Sequence, residues 1–353
     1  MHYCCFVLKP RGPLRIGKRG IGVEEAEELP IPSDTLYGAV ITAYSELYGY
    51  DEAIELCQHF VERKPPFVLS SVLPKVKGDF LLPMPVGILS LIIEPPSTMK
   101  EVKMEVNLHK HLKRAKFCTL KALKELIAKR RSLKEFYEMK EEFEVVSGIL
   151  LMHDELKRLF PSDESLPMYE LESRVRNVVD RITQAAEIYY ESNLVILDPV
   201  ELYVLALIED SFVNELTSCF KLLVEQGIGG ERSIGRGLFN FLGMQDWPSL
   251  REEEGDAILT LGLTLPCSED RSFLIKKLEE GFPISYRIIQ RGGWGGSSGI
   301  SIIRRSVFAF SEGSLLPIPQ RDTGWFGSTF KERSSPPLYR IYMSCYMKIN
   351  LPR

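Results

Sequence analysis

The residues best suited to chemistry in this 353-residue chain form a run of glycines and arginines, Gly227-Ile228-Gly229-Gly230-Glu231-Arg232-Ser233-Ile234-Gly235-Arg236-Gly237. Five glycines among eleven residues let the backbone approach a ligand closely, expose its N–H groups and turn through positive φ. Arg232 and Arg236 stand where they can reach a phosphate. The GxxxxGK[ST] order of a triphosphate loop is missing, and Arg232 stands where a dinucleotide fingerprint needs its third glycine. A plain flexible turn between helix and strand accounts for the same glycines.

A second cluster, Arg291-Gly292-Gly293-Trp294 running on to Gly299, combines a cation, an aromatic ring and a pliable loop, which suits stacking on unpaired bases. An exposed hairpin tip is the competing reading. The basic stretch from His109 to Lys134, with Lys113 and Lys116, reads either as a track for a phosphate backbone or as a solvated helix face. Of the five histidines none belongs to HExxH or a zinc spacing, and His109 and His111, candidates for a metal or proton transfer, read as basic surface within their lysine-rich run. Seven cysteines without a CxxC pair read as reduced thiols. Asp180, between arginines, reads as an orienting ion-pair partner. No hydrolase motif stands out, and no metal or cofactor is expected.

Composition sets the frame for these candidates. Hydrophobic residues make up 44% and charged residues 26%, which excludes a mostly disordered or collagen-like chain. A formal net charge of −4 argues against wrapping a polyanion over the whole surface, so local patches must decide. The length predicts two domains. The N-terminus shows no basic region followed by a long apolar run, and no later stretch approaches a bilayer span, which predicts a cytoplasmic protein without a membrane partner.

The elements that must position the candidates follow from pattern. Cys4 to Leu8 reads as a strand ended by Lys9-Pro10-Arg11-Gly12-Pro13. Ser33 or Asp34 is an expected N-cap, with Leu36, Val40, Ala43, Tyr44 and Leu47 at helical spacing behind it. Asp51 to Arg63 reads as a second helix and Phe80 to Pro85 as a strand. A Lys- and Glu-rich stretch follows, expected as a helical, basic insertion over about 101–165, with Pro161 to Ser165 a loop. Arg174 to Tyr190 reads as a hairpin arm within about 166–192. Glu201 to Ile208, Phe212 to Val224, Leu238 to Leu242, Ala257 to Leu265, Arg271 to Glu280, Ser285 to Ile289 and Ile300 to Phe310 read as a β-α-β-β-α-β-like unit. The alternating Tyr339 to Leu351 predicts a half-buried strand pairing with the first sheet and tying both chain ends together.

Taken in order, four segments carry a resemblance: Ile31-Pro32-Ser33-Asp34-Thr35-Leu36-Tyr37-Gly38-Ala39, Arg176-Asn177-Val178-Val179-Asp180-Arg181-Ile182-Thr183, Gly227 to Gly237, and Arg291 to Trp294. The chain resembles the RAMP superfamily, in its group that caps the 5′ end of the guide RNA, and within it the family of subunit four of the type III-A CRISPR (Csm) effector complex. The stretch between Glu101 and Pro161 looks longer than the family pattern, and Gly292 to Gly299 is unusually glycine-rich. The resemblance implies an α+β fold of two ferredoxin-like, RRM-related domains: 1–200 with the insertion and a thumb-like arm, and 201–353 with the glycine-rich loop. It implies a non-catalytic subunit that holds the guide's 5′ tag, docks the large polymerase- or cyclase-like subunit, and sits beside a backbone RAMP subunit that carries the ribonuclease. Ser33, Asp34 and Thr35 would then offer a helix N-terminus to a phosphate, or simply cap the helix. Arg174, Arg176 and Arg181 would lie on the arm near the junction of tag and guide, the Gly229 to Arg236 residues along the phosphate track, and Arg291 with Trp294 at a base. A guide-processing endoribonuclease of the same superfamily, using His109 or His111 as base, and the equivalent subunit of a type III-B complex are the alternatives.

Overall fold

In a computed structural model the described residues are 1–16, 29–96, 98–128, 132, 134–135, 142–161, 167–247, 254–295, 302–334 and 337–351. Lys129 to Arg131, Ser162 to Ser165 and Gly296 to Gly299 lie outside them, as do the side chains of His109, His111 and Trp294.

The N-terminal strand His2–Pro10 is apolar on both faces from Cys4 to Leu8, the pattern of a central strand. It lies between Val200–Ile208 and Phe239–Asp246, antiparallel to both, with Phe6 opposite Val204 and Met244. Leu73–Val76 and Phe67–Leu69 pair on the far side of Val200–Ile208, and Asp79–Phe80 closes the six-stranded sheet. The helices Ser33–Tyr48 and Val213–Gln226 pack on this sheet. Phe6 stacks on Phe220 of the second helix with ring centroids 4.3 Å apart, and truncating such a buried ring costs about 3–5 kcal/mol.

This pairing corrects the expected boundary at 200. Val200–Ile208, expected to open a second unit, instead completes the sheet of the first strand, because its buried run needs cover from both neighbours. The strand–helix order read from 201 to 310 accordingly divides: two of its strands join the first sheet, Ala257–Thr260 joins another, and Ile288–Gly295 pairs with Ile302–Phe310 as a separate hairpin.

The second sheet runs Leu315–Pro317, Ala257–Thr260, Leu338–Ile349, Trp325–Glu332. The C-terminal strand is therefore interior to this sheet and, contrary to expectation, is not paired by backbone with the first one, which it meets through the Cys345 thiol donating to the Val68 carbonyl at 3.0 Å. Its alternation holds, yet both faces are buried. Ile341, Met343, Cys345, Met347 and Ile349 enter the core shared with the first sheet, whereas Tyr342 and Tyr346 enter two smaller clusters on the opposite side. The sheets meet along a seam of small residues, where a Cβ on Gly262 would come within 2.6 Å of Ser344 Oγ and 2.9 Å of the Ser71 nitrogen.

The Lys- and Glu-rich region is more than a basic helix. Leu82–Pro83, Phe117–Cys118, Ile149–Met152 and Phe143–Val146 make a small sheet with one parallel pair, flanked by helices such as Met99–Leu112 and Leu120–Ile127. Charge dominates its composition, but Phe117, Leu123, Leu126 and Leu150 bury a core of their own that continues into the main one. From here the chain leaves as a long hairpin, Tyr169–Val179 paired with Ala186–Ile196, the expected arm.

Candidate nucleic-acid interface

The glycine-rich loop turns back on itself between the Val213–Gln226 helix and the Phe239–Asp246 strand. Gly229 adopts φ +99°, and a Cβ there would stand 2.3 Å from the Arg15 carbonyl oxygen. Gly237, at φ +71°, would place one 2.2 Å from the Ile228 oxygen. These two positions need glycine for close approach of backbone to backbone. Gly235 has φ +83° with open space beside it, which marks the loop's free side.

A segment unflagged in the sequence organises the site. Pro13 to Ile16 runs between the loop and the base of the arm: Gly230 and Gly237 donate to the carbonyls of Arg15 and Pro13 at 2.8 and 3.0 Å, and Leu14 exchanges both backbone bonds with Leu194. Arg15 also donates to the Ser192 carbonyl on the arm. The sequence marked Lys9 to Pro13 as a turn but gave no sign of Arg15, whose role arises only from its neighbours. Loop and arm are thereby joined through this segment.

Within that surface the loop arginines differ. Arg232, Ser233 and Gly235 are exposed, while Arg236 is 6% exposed and its Nε finds no hydrogen-bond partner. A buried guanidinium with an unmet N–H is costly unless an anion or acceptor reaches it. On the arm, Arg174 pairs with Glu172 at 3.0 Å and Arg176 with the buried Glu191 at 2.9 Å, leaving the second oxygen of Glu191 unpartnered. Arg181 is exposed at the hairpin tip. Asp180 makes no ion pair among the described residues. Its Oδ1 accepts the backbone N–H groups of Ile182 and Thr183 at 2.8 and 2.7 Å, and these bonds, Thr183 first, hold its carboxyl below the ordinary 3.8.

The helix start expected to meet a phosphate is occupied from within. Pro32 is the N-cap and makes no side-chain cap bond. Ser33 is buried, its hydroxyl accepting from the Leu263 nitrogen at 3.0 Å. Asp34 is buried against Arg291, whose Nη2 also reaches the Thr35 hydroxyl at 3.2 Å. Arg291 is thus withdrawn from any base clamp, since a buried carboxylate at the head of the helix has taken both the guanidinium and the positive dipole end. Around this pair lie Arg304, whose basicity burial lowers, and Arg340, which bonds Glu332 at 2.8 Å. In the insertion Lys113 is exposed, and Lys116 donates to the Tyr169 hydroxyl at 2.6 Å, tying the insertion to the arm's first residue.

No family model matches the chain. Among curated proteins, the CRISPR system Cms protein Csm4 of Methanocaldococcus jannaschii is 25% identical over 84% of this chain and 81% of its own. Csm4 of Thermococcus onnurineus is also 25% identical, over 81% of this chain and 78% of its own. Among solved structures, a chain of the Csm3-Csm4 subcomplex in the type III-A CRISPR-Cas interference complex shares the fold with a TM-score of 0.64 at 18% identity, over 98% of this chain and 99% of that one. A chain of a Csm1-Csm4 cassette in complex with AMPPNP follows at 0.55 and 16% identity, with 99% of each covered. No helix among the described residues is long and apolar enough to cross a membrane. Sequence likeness to two Csm4 proteins over about four-fifths of the chain, and a fold shared over nearly all of it with chains of Csm complexes, make this chain similar to the Csm4 subunits of type III-A CRISPR effectors.

Proposed function

We propose that the chain is the guide-capping subunit of a type III-A effector, gripping the 5′ tag of the guide RNA with the Gly227 to Gly237 loop and the neighbouring arm while catalysing no reaction itself. The observation that carries this is Arg236, nine-tenths buried with an unmet Nε inside a loop whose outer side, Arg232 to Gly235, is open. A phosphate at that loop would satisfy the buried donor and meet Arg232 at once. Arg181 at the arm's tip and Lys113 on the insertion supply further cations toward a strand leaving the loop.

The fold reading goes with this function. Strand order Phe239–Asp246, His2–Pro10, Val200–Ile208, Leu73–Val76, with a helix after the first strand and after Val200–Ile208, supports a ferredoxin-like first unit into which the insertion and arm are threaded. A second such unit is supported more loosely: among the described residues its sheet carries the helix Ser268–Glu279, and the edge strand Trp325–Glu332 takes the place in chain order where a second helix would come. The neighbouring structures are complexes with Csm3 and with Csm1, and we take their counterparts, a backbone subunit and the large polymerase-like subunit, as this chain's partners.

The test is binding of a 5′-tagged guide and a tagless control across a salt series, with wild type and Arg232→Ala/Arg236→Ala. About five neutralised phosphates give a log–log slope of about −3.5. Tag-dependent binding with intact RNA and a flatter slope in the variant is the expected result; tag-indifferent binding, or cutting without metal, would sink the proposal.

A further inference from the structure

The hairpin Ile288–Gly295 with Ile302–Phe310, together with the turn leading into it, carries four arginines and no acidic residue between Phe282 and Ser311, in a chain whose net charge is −4. Its two faces are sorted by one contact. Alternate residues of a strand point to opposite sides, so the ion pair that draws Arg291 inward to Asp34 also turns Ile289, Val307 and Ala309 inward, where they pack on Leu263 and Tyr342. The residues between them must then face out. Gln290 lies opposite Phe308 and Ile288 opposite Phe310 on that outer face, with Phe308 61% exposed. Tyr286, 47% exposed, lies tilted on Phe310 with ring centroids 4.6 Å apart. The result is two exposed rings, Tyr286 and Phe308, on either side of a half-buried Phe310 that packs on the Ile258, Leu316 and Phe326 cluster, with Arg287 and Arg305 also exposed nearby.

We infer that this outer face is a second nucleic-acid surface, distinct from the glycine-rich loop, which takes unpaired bases of a single-stranded RNA by stacking on Phe308 and Tyr286. Three features select this occupant over a protein. A ring exposed on a pleated surface offers a π-face to any base, and the two exposed arginines, Arg287 and Arg305, which make no ion pair among the described residues, complement a phosphate backbone. A protein partner of ordinary composition would instead be met by charges of both signs. A duplex keeps its bases stacked on one another and offers nothing to Phe308, so the surface discriminates single from double strands. The inference shares the RNA-binding reading above but depends on neither Arg232 nor Arg236.

The experiment is fluorescence anisotropy of the full chain with a labelled, untagged oligoadenylate of about ten nucleotides and with a duplex of the same length. Phe308→Ala, Phe308→Trp and Arg232→Ala/Arg236→Ala are compared with wild type. Phe308 is largely exposed, so its replacement leaves the fold intact, which circular dichroism checks. Expected is roughly tenfold weaker single-strand binding for Phe308→Ala, retention for Phe308→Trp and no change toward the duplex. Unchanged single-strand binding in Phe308→Ala overturns the inference, as does loss of co-purification with a protein subunit while RNA binding stays normal. If Arg232→Ala/Arg236→Ala is silent while Phe308→Ala is not, the loop reading fails and this one stands.

Discussion

Arg291 lays its guanidinium along the carboxylate of Asp34, Nε to Oδ2 at 3.0 Å and Nη2 to Oδ1 at 2.9 Å, across 257 residues of sequence. Both side chains are less than a tenth exposed, so the pair is desolvated and its strength comes from bidentate geometry. It pins a hairpin of the C-terminal half to the first helix of the N-terminal half.

Removing one partner leaves the other charged, buried and alone. Asp34→Ala is expected to destabilise the chain by about 3–5 kcal/mol, and Asp34→Ala/Arg291→Met by clearly less, because the second change removes the orphaned charge. Thermal or denaturant unfolding of the single and double variants checks this; equal losses would mean that the pair matters only as filler.

Arg236 is expected to show the opposite balance. Its buried Nε lacks a partner, so Arg236→Met, similar in length and apolar, should hold or raise the melting temperature while weakening RNA binding. Measured side by side, a variant that loses stability and keeps its affinity would contradict both halves.

The loop glycines divide by geometry. Gly237→Ala drives a Cβ to 2.2 Å from a backbone oxygen at positive φ, so the loop cannot close as it stands and RNA binding should be lost. Gly235→Ala meets open space and faces only the left-handed penalty, about 1–2 kcal/mol. Hydrogen exchange of the Ile228 amide, which donates to Gly237, separates the two.

The arm's tip should loosen in acid. The amides of Thr183 and Ile182 hold the Asp180 carboxyl below 3.8, so the opened tip binds a proton more readily than the closed one. Stabilisation is full above that ordinary value and is lost as pH falls through the depressed one. Amide exchange of Ile182 and Thr183, corrected for intrinsic rates, should therefore accelerate below about pH 4 in wild type and already be fast at neutral pH in Asp180→Ala.

Local pattern carried much of what was legible beforehand. The strand at Cys4 to Leu8, the helix behind Pro32, the hairpin arm and the glycine-rich turn all announce themselves through spacing within about ten residues, the range over which periodicity and turn chemistry act. The same patterns were silent about Arg15, which becomes the bridge between loop and arm only because Leu14 pairs with Leu194 and Gly237 with Pro13.

By itself, then, the sequence determined the first strand and the helix behind it, the hairpin arm, the flexible glycine loop and the four segments that carry the resemblance. Tertiary structure alone decided that Val200–Ile208 belongs beside the first strand, that the C-terminal strand is covered on both faces, and that Arg291 serves Asp34 instead of a base. The physical reason is common to all three. Which surface covers an apolar face, and which counter-ion follows a charge out of water, are settled between residues far apart in the chain by the requirement that nothing apolar stay wet and no buried charge stay alone.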